Sequence, residues 1–285
     1  MTGTLRAPRD EDAAAVAALL NARSPERVDE EWVLRSWTSP TLDRDQDARL
    51  GDGGYSTVES FGEGRVWIEL AGSPSAAMLD WAEGRAGELG GRFLSGAWQG
   101  DSAILEELER RRFRLVRHAY RMEADLTESP TVPACPAGID FRTFSPGDER
   151  TFYDTQIESF RDHWEPYEAP YDEWAHWLLD SPRFTPELWF LALDGAEPAG
   201  FAICRSDFVE LDLGWVSSLG VRRPWRRRGI GKALLFHAFA EFRSRGFARA
   251  GLGVDAESLT GANRLYESAG MRVTNRFDIC EQERA

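Results

Sequence analysis

Three stretches in the C-terminal half carry the clearest pattern of apolar and polar positions. LGWVSSLGV, residues 213–221, is an apolar and β-branched run of the kind that forms a buried strand. After Pro224, the segment GKALLFHAFAEFRSRG sets Ala233, Leu234, Phe236, Ala238, Phe239 and Phe242 at helical spacing, and Gly246 stops it. ARAGLGVD, residues 248–255, returns to a strand pattern. The chain therefore predicts a strand–helix–strand unit, with its turn at residues 222–229.

The ends of the two halves share an outline. ILEELERRRFRLVRHAYRMEADL, 104–126, aligns without gaps on ANRLYESAGMRVTNRFDICEQER, 262–284, at an offset that sets Phe113 on Met271. Both read as a helix, a tight turn and an alternating strand. The openings correspond as well: TLRAPRDEDAAAVAALL (4–20) and IDFRTFSPGDERTFYDTQ (139–156) each predict a short strand, an acidic turn and a helix. Acidic residues at a helix start suit its dipole. Between the halves, LTESPTVPACPAG carries three prolines and reads as a linker. This predicts a duplicated domain: residues 1–126, a linker over 127–138, and 139–285.

Composition narrows the classes. The chain has 285 residues and a formal net charge of −14, so its overall field repels nucleic-acid phosphates and weakly favours cationic substrates such as amines. Its three cysteines (Cys135, Cys204, Cys280) and four histidines are scattered without metal-ligand spacing, and no metal is expected. The start, MTGTLRAPRDEDAAAV, lacks the apolar core of a signal peptide, and the longest apolar run, LWFLAL at 188–193, is too short to cross a bilayer. A reduced, cytoplasmic protein away from membranes is expected.

Against this acidity, Arg222, Arg223, Arg226, Arg227, Arg228 and Lys232 gather in one turn, and Asp and Glu are absent from Leu213 to Ala240. The amides at a helix start lack internal partners and favour an anion, and glycine at 229 and 231 admits a phosphate close to the backbone. A Walker A loop fails here, because Arg226 stands where its first glycine belongs and Ala233 follows Lys232. A dinucleotide fingerprint fails at Leu234. The pattern [QR]-x-x-G-x-[GA] fits Arg226, Gly229 and Gly231. The plain alternative is a solvated basic face.

GWVSSLGVRRPWRRRGIGKALLFHAF, with Leu219 and Val221 upstream and LYESAGM at 265–271 downstream, resembles the coenzyme-binding core of the GCN5-related N-acetyltransferases. The resemblance covers roughly 139–285 well and 1–126 in outline, and the two-domain layout resembles the tandem subgroup that includes mycothiol synthase. It implies an α/β fold of two tandem domains, the first degenerate and the second catalytic, with a mixed sheet that splays between its fourth and fifth strands, about 213–221 and 248–255. It also implies that acetyl-CoA is the cosubstrate. The backbone of Leu219, Gly220 and Val221 would pair with the pantetheine arm. The amides of Arg227, Arg228, Gly229, Ile230, Gly231 and Lys232 would hold the pyrophosphate, with Arg226 and its neighbours adding charge. Tyr266 would protonate the departing thiolate, and its aligned position in the first half is Leu108.

Two departures follow. Many family members carry a glutamate as base where this chain has Trp215; Glu210 is the favoured substitute, ahead of Asp212 and His163. A frequent asparagine is Ser258 here, which keeps a hydrogen-bonding group, and Asn263 could add another contact to the coenzyme. The segment 158–180 could form the acceptor pocket, with Trp164, Tyr167, Tyr171, Trp174 and Trp177 against a ring or cation and Asp162, Glu165 and Glu168 meeting an amine. The expected activity is acetyl transfer to the primary amine of a small molecule, by a monomer or homodimer without nucleic acid. The rival is a coenzyme-binding sensor or scaffold without turnover.

Overall fold

The computed structural model describes residues 5–51, 53–61, 64–127, 135–164, 169–208, 211–258 and 260–283. In chain order the elements are α1 (Ala13–Asn21), α2 (Glu30–Ser36), α3 (Arg44–Asp47), β1 (Ala48–Gly51), β2 (Gly54–Ser60), β3 (Arg65–Gly72), α4 (Ala76–Leu89), β4 (Arg92–Trp98), α5 (Ser102–Arg110) and β5 (Phe113–Asp125). They continue with β6 (Ile139–Thr143), α6 (Glu149–Phe160), α7 (Tyr171–Leu178), β7 (Trp189–Asp194), β8 (Glu197–Phe208), β9 (Leu213–Val221), α8 (Ile230–Ser244), β10 (Arg249–Asp255), α9 (Ala262–Ser268) and β11 (Arg272–Gln282). Two compact units result, one of Met1–Ala119 with Asn275–Ala285, the other of Tyr120–Thr274. The units thus depart from simple chain order at the ends of the two halves. Among the described residues, no helix is long and apolar enough to cross a membrane.

In the first unit the strand order is β1-β2-β3-β4-β11. The pairs β1–β2 and β2–β3 are antiparallel, β3–β4 is parallel across α4, and β4–β11 is antiparallel from Phe277↔Trp98 to Glu281↔Leu94. Val66, Ile68 and Leu70 alternate along β3 onto one face and pack with Leu79, Ala82 and Ala86 of α4. Among the described residues, the predicted opening strand shows one antiparallel bridge, Arg6 to Leu50. Arg9 and the 3-10 turn Asp10–Asp12 follow so soon that no longer ladder forms.

In the second unit β6, β7, β8 and β9 form an antiparallel series, and β10 joins β9 in parallel after α8 crosses over. The end of β5 borders β10, where Leu126 N donates to Ala248 O at 2.7 Å. The helical spacing read along 233–242 holds, with Ala233, Leu234, Phe236, Ala238, Phe239 and Phe242 all buried; Leu234, Ala238, Phe239 and Phe242, together with Ile230 and Leu235, form the stripe on the sheet. It meets Phe190, Cys204, Val216 and Leu252 of the sheet. Gly214 is required under it, since a Cβ there would come within 2.3 Å of the Phe242 ring. Burial of that one ring contributes about 1.5–3 kcal/mol. The other face of the sheet carries Phe152 of α6, Trp174 of α7, Trp189, Phe201 and Ile203.

Candidate functional site

The site begins with a break in register. Along β8 and β9 the partners are Ile203↔Ser218 and then Cys204↔Val216, so Ser217 is the extra residue of a β-bulge. The bulge resets the alternation: Val216 and, three residues on, Leu219 both pack on the α8 side. Gly220 faces α6, where a Cβ would lie 2.7 Å from both Phe201 Cε1 and Ser159 Cβ. On its other edge, β9 pairs with β10 only from Leu213↔Arg249 to Val216↔Leu252. Both strands run on, to Val221 and Asp255. Past the bulge, the strands therefore part without further ladder bonds among the described residues. A strand edge left this way offers N–H and C=O groups to an extended ligand.

At the mouth of that gap stands the start of α8. Gly229 precedes the helix in the left-handed region (φ 83°), and Arg227 is left-handed as well (φ 65°). Among the described residues no side chain caps the helix, and its ladder begins with Ala233 N donating to Gly229 O at 3.0 Å. The amides of 230–232 precede it, as an anion site requires. The first unit's α4 differs: Ser75 Oγ accepts from Met78 N at 3.3 Å and closes that helix start with the chain's own hydroxyl. Gly231 has a second reason to lack a side chain. A Cβ there would sit a tight 3.3 Å from Leu265 Cδ1, so it also keeps α8 close to α9.

The basic cluster is largely engaged by carboxylates from distant parts of the sequence. Arg222 donates to Glu158 at 2.7 Å and to Pro198 O at 2.7 Å. Arg226 ties three segments together, donating to Val221 O at 3.0 Å, Ser159 O at 3.0 Å and Asp162 Oδ2 at 2.5 Å. Arg223 also pairs with Asp162. Arg228 pairs with Asp194 at 2.8 Å, and Trp225 Nε1 donates to the same oxygen at 3.0 Å. Arg227 is exposed and, like Lys232, has no carboxylate partner among the described residues. The scarcity of acids near the cluster in sequence gave no warning of Glu158, Asp162 and Asp194, which reach it only through the fold.

Tyr266 lies buried on α9 within the cluster that holds Val216, Leu234 and Leu252, and burial pushes its hydroxyl up to about 12. Ser258 Oγ shares a hydrogen bond with Thr260 Oγ1 at 3.0 Å. Asn263 is fixed by Nδ2, which donates to Asp255 O (3.1 Å) and Ala256 O (2.8 Å), while its Oδ1 is buried without a partner among the described residues. Trp215 is buried on the α6 face beside Leu213, with the Arg121 guanidinium 4.9 Å from its ring centre. Glu210 lies outside the described residues, as do Glu165, Tyr167 and Glu168. Asp212 instead holds backbone: its Oδ1 accepts from Ala248 N at 3.0 Å. His163 packs on Phe160.

Of the aromatic segment, Tyr171 and Trp174 join the core of the second unit. Trp174 is fully buried, donates from Nε1 to Gln156 at 3.0 Å and meets Trp189 edge-on; Tyr171 stacks on it. Asp162, expected near an amine, faces arginines.

A family model described as the acetyltransferase (GNAT) family matches residues 150–271. A GCN5-related N-acetyltransferase from Sphaerobacter thermophilus has a crystal structure that superposes with a TM-score of 0.77 at 31% identity, covering 99% of this chain and 95% of that one. A tandem GNAT protein from the clavulanic acid biosynthesis pathway shares the fold at 12% identity, TM-score 0.73, over 99% of this chain and 98% of that one. Among curated proteins, a mycothiol acetyltransferase of Thermobispora bispora is 33% identical over 54% of this chain and 53% of its own length. One of Streptomyces scabiei is 31% identical over 67% and 62%. The chain spans about half to three-fifths of the length of these curated relatives.

Proposed function

The chain belongs to the GCN5-related N-acetyltransferase family, and from that premise we propose that its second unit transfers an acetyl group from acetyl-CoA to the primary amine of a small molecule. The observation that carries this reading is the unpaired edge of β9 beyond Val216, beside the uncapped start of α8. A pantetheine arm is extended and rich in amides, which suits such an edge. The residues at hand fit the ligand. Asn263 Oδ1 is an orphaned acceptor near the gap, and Gly229 opens the helix with backbone alone.

On this reading Leu219, Gly220 and Val221 hold the arm through their backbone. The amides of Arg227, Arg228, Gly229, Ile230, Gly231 and Lys232 hold the pyrophosphate, and the side chains of Arg227 and Lys232 add charge. Arg226 braces the loop through Val221 O, Ser159 O and Asp162. Ser258 and Asn263 contribute polar contacts.

Bound acetyl-CoA would supply a thioester carbonyl open to a neutral amine, and a thiolate to depart. Tyr266 keeps its proton on Oη at neutral pH, because burial disfavours the phenolate. A hydroxyl so weakly acidic steadies developing negative charge chiefly by donating a hydrogen bond. Trp215 has no basic atom to take a proton, so Glu210, a few residues before β9, is assigned the amine's proton. The names of the curated relatives direct the search for acceptors to small molecules.

A second reading, coenzyme binding without turnover, draws on Trp215. Calorimetric titration of acetyl-CoA into the full chain tests the first step, with Gly229→Glu and Gly231→Glu as controls checked for folding. Binding at one site per chain, lost in both controls, is expected; its absence would overturn the proposal. Thiol release with a panel of amines then separates the readings, since a sensor releases none.

A further inference from the structure

Asp162 lies two residues beyond the end of α6. Its carboxylate holds both Arg223 and Arg226. The two arginines are not equivalent. Arg226 is 25% exposed and is also held by Val221 O and Ser159 O. Arg223 is 75% exposed, and Asp162 is its one side-chain partner among the described residues. Arg226 therefore cannot leave without dismantling the loop, whereas Arg223 can turn at little cost. Arg223 and Arg226 hold the Asp162 carboxyl below the ordinary aspartate range, so it is ionised at any working pH.

We infer that Asp162 stands in for a coenzyme phosphate, competing for Arg223 and so setting the affinity of the site for its polyanionic ligand. The inference rests on the acetyl-CoA reading of the same loop. A negative charge beside a phosphate site weakens that site directly, and pairing with Arg223 withholds a cation from the ligand. A purely structural Asp162 would act in the opposite sense, because its removal would loosen the loop and weaken binding.

The test is calorimetric titration of acetyl-CoA into the full chain as wild type, Asp162→Asn, Arg223→Gln and the double variant, at two salt concentrations. If Asp162 competes, Asp162→Asn tightens binding about two- to five-fold, the scale of an exposed ion pair, with a steeper loss at high salt. Arg223→Gln then costs more in the Asp162→Asn background than alone. Unchanged or weaker binding by a folded Asp162→Asn overturns the inference. Should that variant not fold, Arg223→Gln decides: weaker binding at an unaltered melting temperature supports the idea, and unaltered binding overturns it. Failure of the wild type to bind acetyl-CoA would instead sink the acetyl-transfer reading. Dephospho-CoA identifies the competing group. A gain confined to acetyl-CoA points to the phosphate on the ribose, and a gain shared by both ligands to the pyrophosphate.

Discussion

The indole of Trp215 lies over Gly251: a Cβ built on Gly251 would stand 2.8 Å from Cζ3 and 3.0 Å from Cε3 of that ring. The two are register partners on β9 and β10, at the last but one pair before the strands part. The bulky residue that replaces the family's frequent glutamate is thus accommodated by a missing side chain opposite. Gly251→Ala should cost about 1–3 kcal/mol through overpacking. Trp215→Phe in that background should return part of the loss. Urea unfolding of the three variants measures both, and an additive double variant would refute the pairing.

Tyr266→Phe should reduce turnover on any accepted amine by about 10²-fold or more while leaving the acetyl-CoA Kd unchanged. It should also remove a pH effect on stability. The folded hydroxyl sits at about 12, above its ordinary value of 10.0, so Tyr266 favours folding fully below pH 10 and loses that contribution as pH rises toward 12. Unfolding free energy measured from pH 9 to pH 12 should fall more steeply for the wild type than for Tyr266→Phe.

Glu69 supplies a test in the first unit. Burial is the main cause that lifts its carboxyl to about 6, and the charge of Glu26 adds to it; the Trp67 indole N–H, 2.9 Å from Oε2, opposes the shift. The folded value exceeds the ordinary one of 4.5, so stability from this group is complete below 4.5 and is lost as pH rises through about 6. Glu69→Gln should therefore gain on the wild type as pH rises from 4.5 to 7. An equal difference at both pH values would show that Glu69 is not the group responsible.

The elements around the gap were legible because they rest on short-range patterns. The run 213–221, the helical spacing to Phe242 and the matching helix–turn–strand endings all appear as predicted. Three features were not legible, each for a physical reason. The bulge at Ser217 is a shift in pairing between two strands, and neither strand's composition marks it. Trp174, expected in the acceptor pocket, is core because Gln156 and Trp189 close around it, contacts that no helical spacing reveals. The arginine partners Glu158, Asp162 and Asp194 lie far from the cluster in the chain, so no local reading of charge could count them. Local sequence specified the scaffold, while electrostatics depended on tertiary contact.

Arg227 combines two properties that a pair of substitutions can separate. Its φ of 65° lies in the left-handed region, which costs a residue with a Cβ roughly 1–2 kcal/mol relative to glycine. Its guanidinium is exposed and has no carboxylate partner among the described residues. Arg227→Gly relieves the strain and removes the charge, although part of the gain is offset by the entropy of a glycine in the unfolded chain. Arg227→Gln removes the charge and keeps the strain. Both should weaken acetyl-CoA binding to a similar degree and flatten its salt dependence, because both delete one cation facing the ligand. Only Arg227→Gly should raise the melting temperature. If instead Arg227→Gln bound acetyl-CoA as the wild type does, the arginine would owe its place to something other than the coenzyme, and the helix amides with Lys232 would carry the phosphate site.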